Sequence, residues 1–278
     1  MRIPPRVAQT VARVVLGAAT FFTVAVLIFI IGHVLVKGIP VLSFRFLFSN
    51  PEDMGRAGGI FPTLVGSVLL PAVALVFAVP LGIGTAVFLT EYTRESKITA
   101  AIRFGADCLA GIPSIIFGLF GFIFFVTVLR MGWCILSGGL TLAMMVLPTI
   151  IRTTEEAIRA VPYAYREVSF SLGATRWRTV WRVVLPNALP GIVTGIILSL
   201  GRSIGETAAV IFTAGSSLRM PSSLFDSVRT MSVHFYILAR EGISSENAYG
   251  TAAVLVLAVL MVNGISYWLM HQFMKRFS

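Results

Sequence analysis

Charge is scarce in this sequence. Of 278 residues 12% are charged and 56% are hydrophobic, whereas an ordinary soluble domain carries about 25% charged residues. Only three lysines occur, Lys37, Lys97 and Lys275, and none follows a glycine. A phosphate-cradling G-x-x-x-x-G-K-[ST] loop is therefore absent, and the chain is not expected to hydrolyse ATP. Cysteine is limited to Cys108 and Cys134, with no CxxC or His/Cys cluster to hold a metal, and the few histidines are far apart. No nucleophile–base constellation stands out, which argues against an enzyme. Long polar linkers and low-complexity tracts are missing too, so the chain reads as one membrane domain.

What is present is apolar sequence in long runs, at about 14–36, 63–92, 108–129, 135–151, 188–213 and 249–272. Each is near the roughly 17 to 25 residues that cross a bilayer as a helix. The expectation is an all-α, polytopic membrane protein with six spans. The first run follows arginines but has no small-residue cleavage site close behind it, so it reads as an uncleaved span rather than a signal peptide. Residues 1–61 then form a cytoplasmic N-terminus, a peripheral first span and an outer loop, beside a five-helix core at 62–278. Six spans put both termini on one side, and Lys/Arg bias chooses the side. Segments 1–13, 93–107, 152–187 and 273–278 hold 14 Lys/Arg, while 37–61, 130–134 and 214–248 hold 7. Both termini are thus expected in the cytoplasm. The net charge of +10 is explained by topology, without nucleic-acid binding.

The longest cytoplasmic segment, 152–187, carries helix punctuation. Thr153 and Glu156 have capping-box spacing, which predicts a helix start. Pro162 is expected to break that helix and open another, and Gly173 to end the second in a left-handed cap. A third stretch from Arg176 to Leu185 should stop before Pro186. Its Trp177, Val180, Trp181 and Val184 share one helical face. Such a face suits anionic lipid, packing beneath the spans, or a docking surface for a partner, and the pattern leaves all three open.

Spacing adds a resemblance. Glu167, Gly173, Val183, Leu185 and Pro186 are placed as in the EAA loop of bacterial ABC importer permeases, with EVS standing for EAA. The resemblance implies a coupling helix seated on a separate ATPase subunit, with Glu167, Gly173, Ala174, Thr175, Trp177, Trp181, Leu185 and Pro186 as the coupling element. ATP and Mg would then be bound by that partner, with no cofactor in this chain.

Arg202 and Glu206 lie inside the fifth run, SLGRSIGETAAVIFTAG at 199–215. A charge at mid-bilayer costs about 2.5 to 3.5 kcal/mol on insertion scales, so it faces protein or a water-filled path. One turn apart on a continuous helix, the two form either a structural ion pair or an anion site. In the second case Arg202 offers a planar fork of donors to an oxyanion, and Glu206 orients it or accepts from a protonated ligand oxygen. Gly201 and Gly205 beside them allow close helix approach. Pro71, Pro80, Pro113 and Pro148 are expected to interrupt their spans.

GGIFPTLVGSVLL, LAGIPSIIFGLFG, VLPTIIRTTEEAIRAVP, the EAA-like loop and GRSIGETAAVIFTAG, in order from residue 58 to 215, resemble the permease subunits of the bacterial phosphate ABC importer, the A-type (PstA-like) more than the C-type. That resemblance implies a MetI-like core in the bacterial inner membrane, paired with a related C-type permease subunit. It also implies two ATPase subunits and a periplasmic or extracellular phosphate-binding protein. Inorganic phosphate would cross by alternating access, past Arg202, Glu206 and Arg152. Arg152 is otherwise accounted for as a positive-inside anchor at the end of the fourth span. The alternatives are a permease for sulfate, molybdate or phosphonate, and an ATP-independent anion transporter, which leaves the EAA-like spacing unexplained.

Overall fold

A computed structural model of the chain describes residues 5–94 and 96–277. Residues 1–4, with one of the arginines before the first run, lie outside it. Helix α1 (Pro5–Gly38) carries the first apolar run, 14–36. It lies along α12 (Ser245–Phe277), where Lys37 Nζ sits 5.0 Å from the Tyr249 ring centre, a cation over an aromatic face. The short α2 (Phe44–Phe48) and a two-stranded hairpin, β1 (Pro51–Glu52) against β2 (Ala57–Gly58), fill the connection after α1.

The centre of the molecule is the crossing of α3 (Phe61–Val87) with α6 (Ile135–Ala160). Leu70, Ala74 and Ala78 meet Leu142, Val146 and Ile150 there in one buried cluster. The helices touch because the contact residues are small. A Cβ on Gly82 would lie 2.6 Å from Ile150 Cγ2, far inside van der Waals contact.

The expected proline interruptions divide. Pro71, Pro80 and Pro148 lie inside unbroken helices, because packed neighbours hold a membrane helix together across a missing N–H. Pro113 does break its run. It precedes α5 (Ser114–Gly121, extended by a π-helical Phe122–Val128), which leaves α4 (Lys97–Ala110) at 102°. The run 108–129 is therefore the foot of one helix and the whole of another. Five helical stretches are long and apolar enough to span a membrane, and a sixth if the bent pair counts as one.

Two expectations for residues 152–187 are corrected. Thr153 starts no helix: α6 continues through it to Ala160, and its hydroxyl donates to the Thr149 carbonyl at 2.9 Å, the bond a mid-helix threonine makes when no cap is needed. Nor does helix stop before Pro186. From α8 (Arg176–Thr179) the chain passes through a π-helical turn, Val180–Val184, into α9 (Leu185–Gly205), whose first turn holds Pro186. The wider turn accommodates a residue that cannot donate. The middle helix, α7 (Tyr163–Ser171), begins after Pro162 as its punctuation predicts. A second buried cluster, with Ala86, Ile158, Val180, Val184, Ala188 and Ile192, joins this end of α3, α6 and α9.

The fifth apolar run is also not one helix. It breaks after Gly205 and resumes as α10 (Ala208–Thr213). A return through residues 214–230 leads to α11 (Met231–Arg240) and then α12.

Candidate functional site

Arg202 stands in the last turn of α9, exposed, and among the described residues it makes no hydrogen bond or ion pair. Glu206 is half-buried just beyond the helix, with extended backbone. Its Oε1 accepts from the N–H groups of Thr207 and Ala209, each at 3.2 Å. The expected one-turn pairing along a continuous helix is thus absent: the carboxylate faces forward and caps α10, where a carboxylate satisfies otherwise unpaired donors. Its carbonyl accepts from Ser232 Oγ at 2.7 Å, tying the break to α11. A cation without a partner therefore sits beside a broken span. Gly205 faces open space, while Gly201 approaches Asn263 on α12.

Beyond the break is a cavity of 1170 Å³, lined by α5, α10 and α11 and by Ser216, Ser217 and Ser227 of the return loop. Thr207, Ser232 and Arg240 add to these serines the polar groups of a wall that is mostly apolar. Arg240 Nη1 donates to Tyr236 Oη at 2.7 Å.

Arg152 is elsewhere. It lies within α6, which continues past it, and its guanidinium bonds Asp107 on α4 at 3.0 Å and Glu156 at 3.3 Å. The antiparallel α6 and α9 keep register through Thr153 against Gly195 and Ala157 against Gly191. Arg202 consequently lies about 9 Å further along the helix axes than Arg152, at 1.5 Å per residue. The structure does not join the two arginines, and it gives Arg152 anionic partners of its own.

The residues expected to form a coupling element cluster at the other end. Gly173, at φ +76, has the left-handed conformation that favours glycine. The N–H groups of Gly173 and Ala174 donate back to Phe170 and Ser169 at 2.9 and 3.1 Å, closing α7. Thr175 Oγ1 caps α8 by accepting from the Arg178 N–H at 3.4 Å. The face shared by Trp177, Val180, Trp181 and Val184 is divided: the valines are buried, whereas Trp177 and Trp181 are 63% and 54% exposed. The two indoles, 5.3 Å apart, line an 810 Å³ apolar groove with Tyr92, Leu185 and Pro186. Glu167 is exposed. Around it α7 presents Tyr163, Tyr165, Val168 and Phe170, followed by Leu172 at 83% exposure. An apolar surface of this kind at a polar end of the molecule marks a contact with another protein or with lipid.

Sequence reasoning missed the charged groups that seat this element. Arg166, only 8% exposed, donates to Glu91 Oε1 from Nε at 3.1 Å and from Nη2 at 2.7 Å, and to the carbonyls of Val161 and Ile158. Arg103 on α4 meets buried Glu155 at 2.7 Å. The available clue was Glu91, a lone acid closing the apolar run 63–92. Among the described residues no three His, Cys, Asp or Glu side chains gather to hold a metal.

Residues 78–278 match the family described as binding-protein-dependent transport system inner membrane component. The probable ABC transporter permease protein YqgI of Bacillus subtilis (strain 168) is 33% identical over 95% of both chains. The phosphate transport system permease protein PstA of Pasteurella multocida is 32% identical over 88% of both. PstA 1 of Mycobacterium tuberculosis is 38% identical over 77% of this chain and 70% of its own. In fold, a chain of a bacterial ABC transporter that imports alginate superposes with a TM-score of 0.66, at 15% identity, over 96% of this chain and 99% of that one. A chain of the inward-facing MetNI methionine ABC transporter superposes at 0.61, with 19% identity, over 77% and 94%. With its fifth apolar run broken between α9 and α10 and its α7 closed by a glycine, the chain belongs to the binding-protein-dependent transport system inner membrane component family, the permeases of ABC importers.

Proposed function

We propose that this chain is the A-type permease subunit of a phosphate importer, working with a related permease subunit, two ATPase subunits and an external phosphate-binding protein. ATP and Mg are held by the ATPase partners. The observation that carries the reading is α7, a short helix that turns an apolar face outward and is closed by a glycine at positive φ. Such a face suits an ATPase cleft better than lipid, because Glu167 stands exposed within it and Arg176 just beyond it at the start of α8, and charge at an interface gives a protein partner its register. Phosphate as cargo is supported by the PstA relatives and by Arg202, whose free fork of donors matches an oxyanion.

In the cycle, closure of the ATPase dimer moves α7, the helices rearrange, and the path beside the α9–α10 break opens outward to receive phosphate from the binding protein. Hydrolysis returns it inward. Both termini lie in the cytoplasm, the side favoured by the Lys/Arg bias. A single arginine binds an anion loosely enough to release it, as a transport site must. Uptake of radiolabelled phosphate, with excess sulfate, in cells lacking this chain tests the reading. Uptake restored by the chain and insensitive to sulfate supports it; full competition by sulfate means another oxyanion is the cargo.

A further inference from the structure

Helix α7 has an unusual attachment to the rest of the molecule. Of its nine residues only Arg166 and Ser169 are buried. The surface that faces its partner is apolar, whereas the surface that faces its own chain is an ion pair and a hydroxyl pair, Ser169 Oγ to Thr179 Oγ1 at 2.8 Å. Hydrophobic packing is non-directional and lets surfaces slide. A guanidinium held at four points does not.

Those four bonds reach three acceptors, at the ends of two helices, α3 and α6. Arg166 bonds Glu91 in the π-helical turn that ends α3, and it also donates to the Ile158 and Val161 carbonyls at the end of α6, where helix carbonyls run short of intrahelical donors. Two residues before Glu91, the Leu89 carbonyl accepts from Arg103 Nη2 at 3.4 Å, and Arg103 Nε bonds Glu155. One turn on from Arg103, Asp107 bonds Arg152. Polar contacts thus run from α7 through the end of α3 to α4, the helix that turns by 102° into α5 and so into the cavity wall. A buried ion pair is weak support for stability, since apolar residues of similar volume do as well. What it supplies is direction.

We propose that Arg166, through Glu91, is a positioning residue that makes α7 move as one body with the inner end of α3, so that partner closure reaches α4 and α5. The inference rests on the importer reading and adds the route by which force enters the spans.

The test uses the whole complex in proteoliposomes, with binding protein, measuring phosphate carried per ATP hydrolysed. The variants are Arg166→Met, Glu91→Gln, both together, and Arg166→Lys, which keeps the charge. Each single neutral variant should copurify with the ATPase and keep basal hydrolysis while phosphate carried per ATP falls tenfold or more. The double variant should fall by the same factor, because both residues act through one contact, and Arg166→Lys should recover part of the loss. Wild-type transport per ATP in the single variants would overturn the inference, as would losses that multiply in the double variant. Loss of the ATPase from a single variant would also overturn it, by making Arg166 a folding or docking residue. A wild-type complex that binds no ATPase overturns the importer reading itself.

Discussion

Arg202 and His234 show what a single side chain contributes here. Arg202 has no partner within the described residues, so replacing it removes no intramolecular bond. Arg202→Ala should abolish phosphate uptake with the complex still assembled, as seen by uptake and copurification together; loss of assembly would mark a structural role instead. His234, 1% exposed on α11, faces Arg229 Nη1 through Nδ1 at 3.4 Å. A guanidinium can only donate, so Nδ1 must be the bare nitrogen. Burial first, and the Arg229 charge second, push this imidazole down to about 4. An unfolded histidine titrates near 6.5. Between those values the unfolded chain takes up a proton that the folded chain refuses, so stability is complete above about pH 6.5 and falls as pH drops toward 4. His234→Gln should flatten that slope, measured as thermal unfolding of the purified protein at pH 7.5 and 4.5.

At the scale of elements, helix ends decide more than helix interiors. Gly173 closes α7 at a positive φ, where other L-residues lose about 1–2 kcal/mol. Gly173→Val should displace the end of α7 and cut ATPase copurification severalfold, with the chain still in the membrane. Gly173 could be read from spacing because a helix followed by a left-handed glycine is a local pattern. The break after Gly205 could not. The apolar run 188–213 continues straight across it, and only the capping of α10 by Glu206, with Ser232 on the Glu206 carbonyl, shows why the chain turns. Thr153 failed in the other direction: its capping-box spacing is local, but α6 packs against α3, α4 and α9, and those contacts carry the helix past it.

For the whole molecule, the α3–α6 crossing and the bent α4–α5 pair organise the fold, and topology can be tested on them. Cys108 is exposed on α4, whereas Cys134 is buried at the start of α6. In the chain expressed alone, a membrane-impermeant maleimide should label Cys108 in inside-out vesicles and not in intact cells. Labelling from outside would invert the orientation. The sequence by itself determined that the chain is helical and membrane-embedded, about how many spans it has, and that Gly173 closes a short helix. Those properties follow from run length, charge bias and turn residues, which act over a few neighbours. Only the tertiary structure decided that three internal prolines leave their helices whole and one bends its own by 102°. It also decided that Arg202 stands without Glu206 and about 9 Å along the axis from Arg152, and that Arg166 reaches Glu91. These depend on which helices meet and at what level, and no neighbour in sequence carries that information.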